Sequence, residues 1–260
     1  PDFDDVQVLA QAREIDSELA TIYPSAQPGD PEFVDVDLLI QGDETVSAST
    51  LGSASIFESG KAYDIDIAYP IFTGGLTNKD QFMVAYYDNT NNNYGTAVVG
   101  TVSGDSIIWG SPVVYNSGGS FKTRIQSWTD SYAVGVYCIA FQDQLSSSGG
   151  ALINGSISGT GTNATITFGS KYIFQSSTTM QNPALFMNSN SYTGFVAWSD
   201  TGQGGYGRMR MISHGQTSGD LTITLHPEYT FNSTSTTSLD VTWSHFHGVF
   251  LIAWEEPATN

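Results

Sequence analysis

Four carboxylates are the first residues whose spacing could do chemistry. The segment Val84-Ala85-Tyr86-Tyr87-Asp88 recurs as Ile139-Ala140-Phe141-Gln142-Asp143, Val196-Ala197-Trp198-Ser199-Asp200 and Ile252-Ala253-Trp254-Glu255-Glu256. Acids at equivalent positions of a ring could line a cation or sugar site, because ionised carboxylates are acceptors that suit hard cations and hydroxyls. The local alternative is that each acid opens a turn and bonds the backbone amides that follow it. Ring positions one repeat apart are too wide for a catalytic carboxylate pair, which needs roughly 5–10 Å. His245-Phe246-His247 puts two imidazoles on one face of an extended segment, half of a metal site, whereas His214 and His226 have no partner evident in the sequence. There is no Gly-x-Ser-x-Gly elbow, no glycine-rich phosphate loop ending in Lys and no His-Glu-x-x-His pair. The expectation is a protein that is not an enzyme and holds no cofactor or metal.

The elements that position these acids repeat with them. The repeat alanines Ala85, Ala140, Ala197 and Ala253 are 55, 57 and 56 residues apart. A second motif runs out of phase, from Gly52-Ser53 to Phe57, Gly110-Ser111 to Tyr115 and Gly169-Ser170 to Phe174. Its fourth copy keeps Phe231 but has His226-Pro227 in place of Gly-Ser. Two motifs holding one period in four copies mark a repeat architecture. Within each period, apolar or alternating runs separated by Gly, Ser and Asn clusters read as four strands. The runs are 62–69, 81–88, 94–102 and 106–115, then 121–128, 133–142, 150–157 and 164–174, then 180–187, 193–199, 206–213 and 221–231. Two more, 237–243 and 247–255, follow, while 33–42 and 45–58 carry the third- and fourth-strand pattern near the other end. The reading is an all-β, four-repeat β-propeller whose last blade is shared by both termini, which would remove free sheet edges. The competing geometry completes that blade from a neighbouring subunit and builds a fibre. Small alanines beside Tyr86, Phe141, Trp198 and Trp254 suit sheets packed face to face, so these rings are expected in the core.

Residues 1–32 are a different block. Val8, Ala12, Ile15, Leu19 and Ile22 are spaced 4, 3, 4 and 3 apart, an apolar seam on a short α-helix. Asp4 and Asp5 favour its N-terminus, and Pro24 and Pro28 stop it. Two heptads are too short to stand alone, so the helix docks on its own propeller or on partner or sister chains. The expected organisation is an anchoring or oligomerising segment over 1–32 and a repeat domain over 33–260.

Charge narrows the partners. With 26 acidic and 8 basic residues the formal net charge is −18, which opposes binding to nucleic acid or an anionic membrane. No apolar run reaches the roughly 20 residues that cross a bilayer, so membrane insertion is not expected. The N-terminus lacks the basic-then-apolar layout of a signal peptide, and general secretory export is not expected. Cys138 is the only cysteine and sits in an apolar run, which predicts a buried thiol. Asn154, Asn163 and Asn232 head Asn-x-Ser/Thr acceptor patterns.

The stretch Val84–Asp88, then Asn92-Asn93-Tyr94-Gly95-Thr96-Ala97-Val98-Val99-Gly100-Thr101-Val102-Ser103-Gly104, then Trp109-Gly110-Ser111-Pro112-Val113-Val114-Tyr115-Asn116-Ser117-Gly118 resembles repeats in virion appendage and tail-fibre-type proteins of tailed, especially marine, bacteriophages. The likeness covers about 81–118 closely, weakens in later copies, where Gly149-Gly150 and Tyr206-Gly207 stand for Tyr94-Gly95, and does not reach the N-terminal helix. It implies a structural protein on the virion surface: a fibre, a capsid decoration or a host-contacting knob, bound to other virion proteins through its N-terminal segment and assembling as a homo-oligomer. The alternative is a carbohydrate-binding propeller lectin meeting a host-surface glycan. Its candidate contacts are loops carrying Asp88 and Tyr94, Asp143, and Asp200 and Tyr206.

Overall fold

The computed structural model describes residues 55–69, 80–129, 135–176, 179–188, 192–215, 219–244 and 249–256. All of these belong to the unit Gly52–Asn260, which separates from Pro1–Leu51. The N-terminal helix expected around Val8, Ala12, Ile15, Leu19 and Ile22, the strand run over 33–42, residues 45–54 of the run over 45–58, and the His245-Phe246-His247 step lie outside the described residues, so the 32/33 boundary does too; residues 55–58 of that run are described and form no strand, Phe57 packing instead on Tyr86 and Trp109 of the first meander at 5.2 and 5.6 Å.

Over the described residues the protein is all-β. Its strands are β1 (Ala62–Ala68), β2 (Gln81–Asp88), β3 (Tyr94–Ser103), β4 (Ser106–Trp109), β5 (Val113–Thr129), β6 (Gly135–Asp143), β7 (Gly149–Ser158), β8 (Thr165–Gln175), β9 (Met180–Asn188), β10 (Thr193–Asp200), β11 (Tyr206–His214), β12 (Ile223–Ser235), β13 (Leu239–Ser244) and β14 (Val249–Trp254). Every pairing is antiparallel, and neighbours in sequence are neighbours in space: β1-β2-β3-β5, β5-β6-β7-β8, β9-β10-β11-β12 and the hairpin β13-β14. Three four-stranded meanders and a hairpin therefore follow one another. Among the described residues no closed propeller or barrel is formed.

One boundary differs from the sequence reading. The runs 106–115 and 121–128 do not give two separate strands; β5 crosses the repeat boundary unbroken, pairing β3 through Val113–Gly119 and β6 through Ser120–Thr129. The break falls earlier, at Gly110-Ser111-Pro112, which splits off β4. Pro112 has no N–H to give a ladder, and a Cβ on Gly110 would meet the Ala164 carbonyl oxygen at 2.4 Å.

The two-residue period of each middle strand divides it between two cores. Tyr137, Ile139 and Phe141 of β6 pack with Met83, Ala85 and Val99 of the first meander. Cys138 and Ala140, on the opposite face, pack with Met187, Val196 and Trp198 of the third. Strands buried on both faces read as continuous apolar runs, which is how Met83–Tyr86, Val136–Phe141 and Phe195–Trp198 appear. Tyr86, Phe141 and Trp198 are fully buried beside Ala85, Ala140 and Ala197; each such ring contributes about 1.5–3 kcal/mol by burial. Trp254 departs from this expectation. It is 44% exposed, packed edge-to-face on Phe231 with centroids 5.3 Å apart. Cys138 is buried and free, and burial raises its thiol pKa, leaving it a small apolar filler.

The two sequence motifs meet in one packing device. A Cβ built on Gly95, Gly150 or Gly207 of the third strands would come 2.3, 2.3 or 2.5 Å from the ring of Tyr115, Phe174 or Phe231. Each fourth-strand aromatic thus lies flat against a third-strand glycine, the arrangement by which a ring covers exposed backbone. The first strands share a second device. β1, β5 and β9 carry a bulge at the same register, with Asp64, Lys122 and Asn182 at φ of 46°, 56° and 46°. Bulges turn a strand and re-aim its side chains. Here Asp64 Oδ2 accepts from the Lys122 amide at 2.7 Å, Asp66 Oδ2 accepts from the Ile125 amide at 2.9 Å, and Asn182 Nδ2 donates to the Thr237 carbonyl. Successive first strands are stitched through these groups.

Candidate functional site

Asp88, Asp143 and Asp200 end β2, β6 and β10, and the next strand begins opposite them: Asp88 pairs with Tyr94, Asp143 with Gly149 and Asp200 with Tyr206. The intervening turns need two consecutive left-handed residues, and three chemistries supply them: Asn92-Asn93, Ser147-Ser148 and Gly204-Gly205. The acids hold these turns. Asp88 Oδ1 accepts from the amides of Thr90 (3.0 Å) and Asn91 (3.1 Å) and from the Thr90 hydroxyl (2.6 Å). Asp143 Oδ1 accepts from the Leu145 amide at 3.1 Å and Asp200 Oδ1 from the Gly202 amide at 3.1 Å. The local reading of these acids is the one their geometry displays.

Asp143 does more. Lys171 Nζ lies 2.7 Å from Oδ2, Asn116 Nδ2 donates to Oδ1 at 3.1 Å and the Ser146 hydroxyl to Oδ2 at 2.9 Å. Burial acts to raise its pKa, but the hydrogen bonds from Lys171, Asn116 and Ser146 and the Lys171 charge outweigh it and hold the carboxyl below the usual range. Asp200 has a looser cation, with Arg208 Nε at 3.8 Å, and Arg208 also pairs with Glu228 at 3.2 Å. Among the described residues no group of three or more His, Cys, Asp or Glu side chains is placed to hold a metal ion.

Each turn also forms a corner with the next meander. The carbonyls of Asn93, Ser148 and Gly205 accept from the amides of Ser120 (3.1 Å), Met180 (3.0 Å) and Thr236 (2.8 Å). What fills the corner changes from copy to copy. Register pairs Tyr87 with Tyr63, Gln142 with Phe121, and Ser199 with Gln181. At the first corner Tyr63 and Tyr87 stack at 5.1 Å, and Phe121 of the next meander meets Tyr87 at 5.0 Å. At the second, Gln142 is buried and its Nε2 donates to the Met180 carbonyl at 2.5 Å. At the third, Ser199 and Gln181 leave a cavity of about 340 Å³, walled also by Asn182, Thr201, Ser235 and Thr236 and by the Gly204-Gly205 backbone. No charged side chain lines it. Tyr206 flanks it: a Cβ on Gly204 would lie 3.7 Å from the Tyr206 ring, which carries the Arg208 guanidinium 5.9 Å from its centroid.

The sequence reading placed Asp200 and Tyr206 at this loop but missed Gln181, Ser199, Thr201 and Ser235. The signal was the shrinking series Tyr87, Gln142, Ser199 inside the repeated motif. It also missed a buried polar group between the second and third meanders. His214 Nδ1 accepts from Asn154 Nδ2 at 2.8 Å, and its ring lies 4.8 Å from Trp128. Burial lowers the His214 pKa from 6.5 to about 3, so the imidazole is neutral. Its Nε2 has no hydrogen-bond partner among the described residues. Asn154 is thereby closed as an acceptor of glycosylation, and Asn232 is buried and bonded to Thr236; Asn163 is exposed. His226 Nε2 is hydrogen-bonded to the Ser213 hydroxyl at 2.6 Å.

In comparisons with known proteins, no family model and no curated protein matches this chain.

Proposed function

We propose that this chain is a non-enzymatic structural protein of a bacteriophage particle: a fibre, decoration or host-contacting appendage, anchored to other virion proteins through its N-terminal segment. The observation that carries the non-catalytic part is that the three described repeat carboxylates each hold their own turn rather than a shared site. The resemblance of residues 81–118 to appendage repeats supports the setting. In this reading strands within residues 33–54 stand third and fourth beside β13-β14 and close a four-bladed propeller, which would cover the apolar edge at Leu251 and Trp254, half-exposed in the described residues. The same closure would remove the free edges of the fourth sheet.

The experiment is to locate the protein in purified particles by mass spectrometry and immunogold labelling, with full-length protein compared to a form lacking residues 1–30. Incorporation of the full chain and loss of incorporation on deletion support the anchor; a protein absent from particles defeats the reading. A second reading, carbohydrate binding, is favoured by one specific observation, the uncharged cavity at the third corner.

A further inference from the structure

The third corner differs from its two sisters in a way that has the chemistry of a binding site. Its walls carry hydrogen-bonding groups with capacity left over. The Gln181 amide and the Ser235 hydroxyl make no side-chain hydrogen bond among the described residues. Among the described residues Asn182 bonds through Nδ2, on the Thr237 carbonyl, and keeps Oδ1. Thr236 Oγ1 accepts from Asn232 at 3.0 Å and keeps its O–H, while Thr201 Oγ1 donates to the Thr179 carbonyl at 2.9 Å and keeps its lone pairs. The cavity therefore offers donors and acceptors side by side from amides and hydroxyls.

That mixture selects among ligands. An anion would want Lys, Arg or converging amides, a divalent cation would want carboxylates, and an apolar ligand would want an apolar wall. No charged and no hydrophobic side chain lines the cavity, and the Gly204 and Gly205 amides are already bonded to the Thr201 and Asp200 carbonyls. A hydroxyl is donor and acceptor at once, and a ring bearing several hydroxyls matches alternating amide and alcohol groups. The volume of about 340 Å³ is at the small end of ligand pockets, which span roughly 300–1,000 Å³.

We propose that this cavity binds one neutral saccharide unit, with Gln181, Asn182, Thr236 and Ser235 addressing its hydroxyls. The proposal rests on the carbohydrate-binding reading above and names its site. The first and second corners are closed to such a ligand by the rings of Tyr63, Tyr87 and Phe121 and by the side chain of Gln142. One site per chain follows among the three described corners, on a scaffold that repeats.

The test uses the full chain with methyl glycosides of neutral hexoses and N-acetylhexosamines, read by saturation-transfer NMR and calorimetry. Ser199→Gln places in the third corner the residue that the second repeat carries there, and should cut affinity more than tenfold. Ser199 is buried, so Gln181→Leu, at a partly exposed position, serves if S199Q does not fold. It removes the free amide and should cost about tenfold, the loss expected for one or two neutral hydrogen bonds, with an unchanged melting temperature. Retention on immobilised polysaccharide, compared with the free glycosides, separates a surface glycan from a free sugar. If no neutral sugar binds the wild type, both the site and the carbohydrate-binding reading fall. If binding persists at full strength in both S199Q and Q181L, the chain binds sugar elsewhere and this site alone is overturned.

Discussion

The first and third corners are built on the same backbone and filled differently. Both have an Asp at the end of the second strand, a turn with two left-handed residues and a carbonyl that receives the next meander's amide. At the first, Tyr63, Tyr87 and Phe121 pack into the space; at the third, Gln181 and Ser199 leave it open. The lesson is that the repeat specifies the frame through its acids, glycines and fourth-strand rings. The content of each corner is set by one pair of facing residues that the frame does not need. Binding chemistry can then change in one copy without altering the fold.

The largest test of this division concerns the frame. Tyr115 is buried against Gly95, Phe141 and Phe168, and Tyr115→Ala should cost about 3–5 kcal/mol by chemical denaturation. Phe231, its partly exposed counterpart, should cost less than half as much on Phe231→Ala. Equal costs would mean that the third copy is packed as tightly as the first.

Next is the pH response of the meander junction holding His214. Its folded pKa is lowered to about 3, so the unfolded state binds the proton first. The stability it permits is fully present above about pH 6.5 and is lost as pH falls toward 3. Lowering pH from 7 to 4 should remove about 3 kcal/mol through this group, and His214→Gln should flatten that part of the profile. Asp143, with its lowered pKa, contributes stability that is present above the usual carboxylate range and is lost only at still lower pH.

A smaller contrast separates the second and third acids. Lys171→Met strips the close cation from a fully buried Asp143 and should cost about 2–3 kcal/mol. Arg208→Met, whose partner Asp200 is 3.8 Å away, should cost about 1 kcal/mol. A reversed order would place the tighter electrostatic lock at the open corner.

The smallest effect has the opposite sign. Ser147 and Ser148 hold left-handed backbone where the third corner has glycines. Ser148→Gly should stabilise by about 0.5–1 kcal/mol, because the strain of a non-glycine residue is relieved against some added chain entropy. A loss in melting temperature would show that Ser148 does something beyond turning the chain.

The frame was legible in the sequence because its signals are local and repeated. The alanine-aromatic-acid motif, the fourth-strand rings and the Gly, Ser and Asn clusters located nearly all the described strands, and Tyr86, Phe141 and Trp198 are core as their neighbours implied. The continuous β5 was not legible, since Ser117-Gly118-Gly119-Ser120 has the composition of a turn yet continues as strand. The cavity was hidden for a different reason. Gln181 and Ser199 are ordinary strand residues until register places them face to face, and the loop pair singled out in advance, Asp200 and Tyr206, supports and flanks the space instead of lining it. His214 and Asn154, 60 residues apart, meet only through the packing of two meanders.

The central claim is a four-copy ring of a particle appendage, and the most direct measurement is cryo-electron microscopy of the assembled particle. The account predicts two strands within residues 33–54 completing the β13-β14 sheet of their own chain, with residues 1–32 on another virion protein. Strands supplied to β14 by a neighbouring chain, or a particle without the protein, would contradict it.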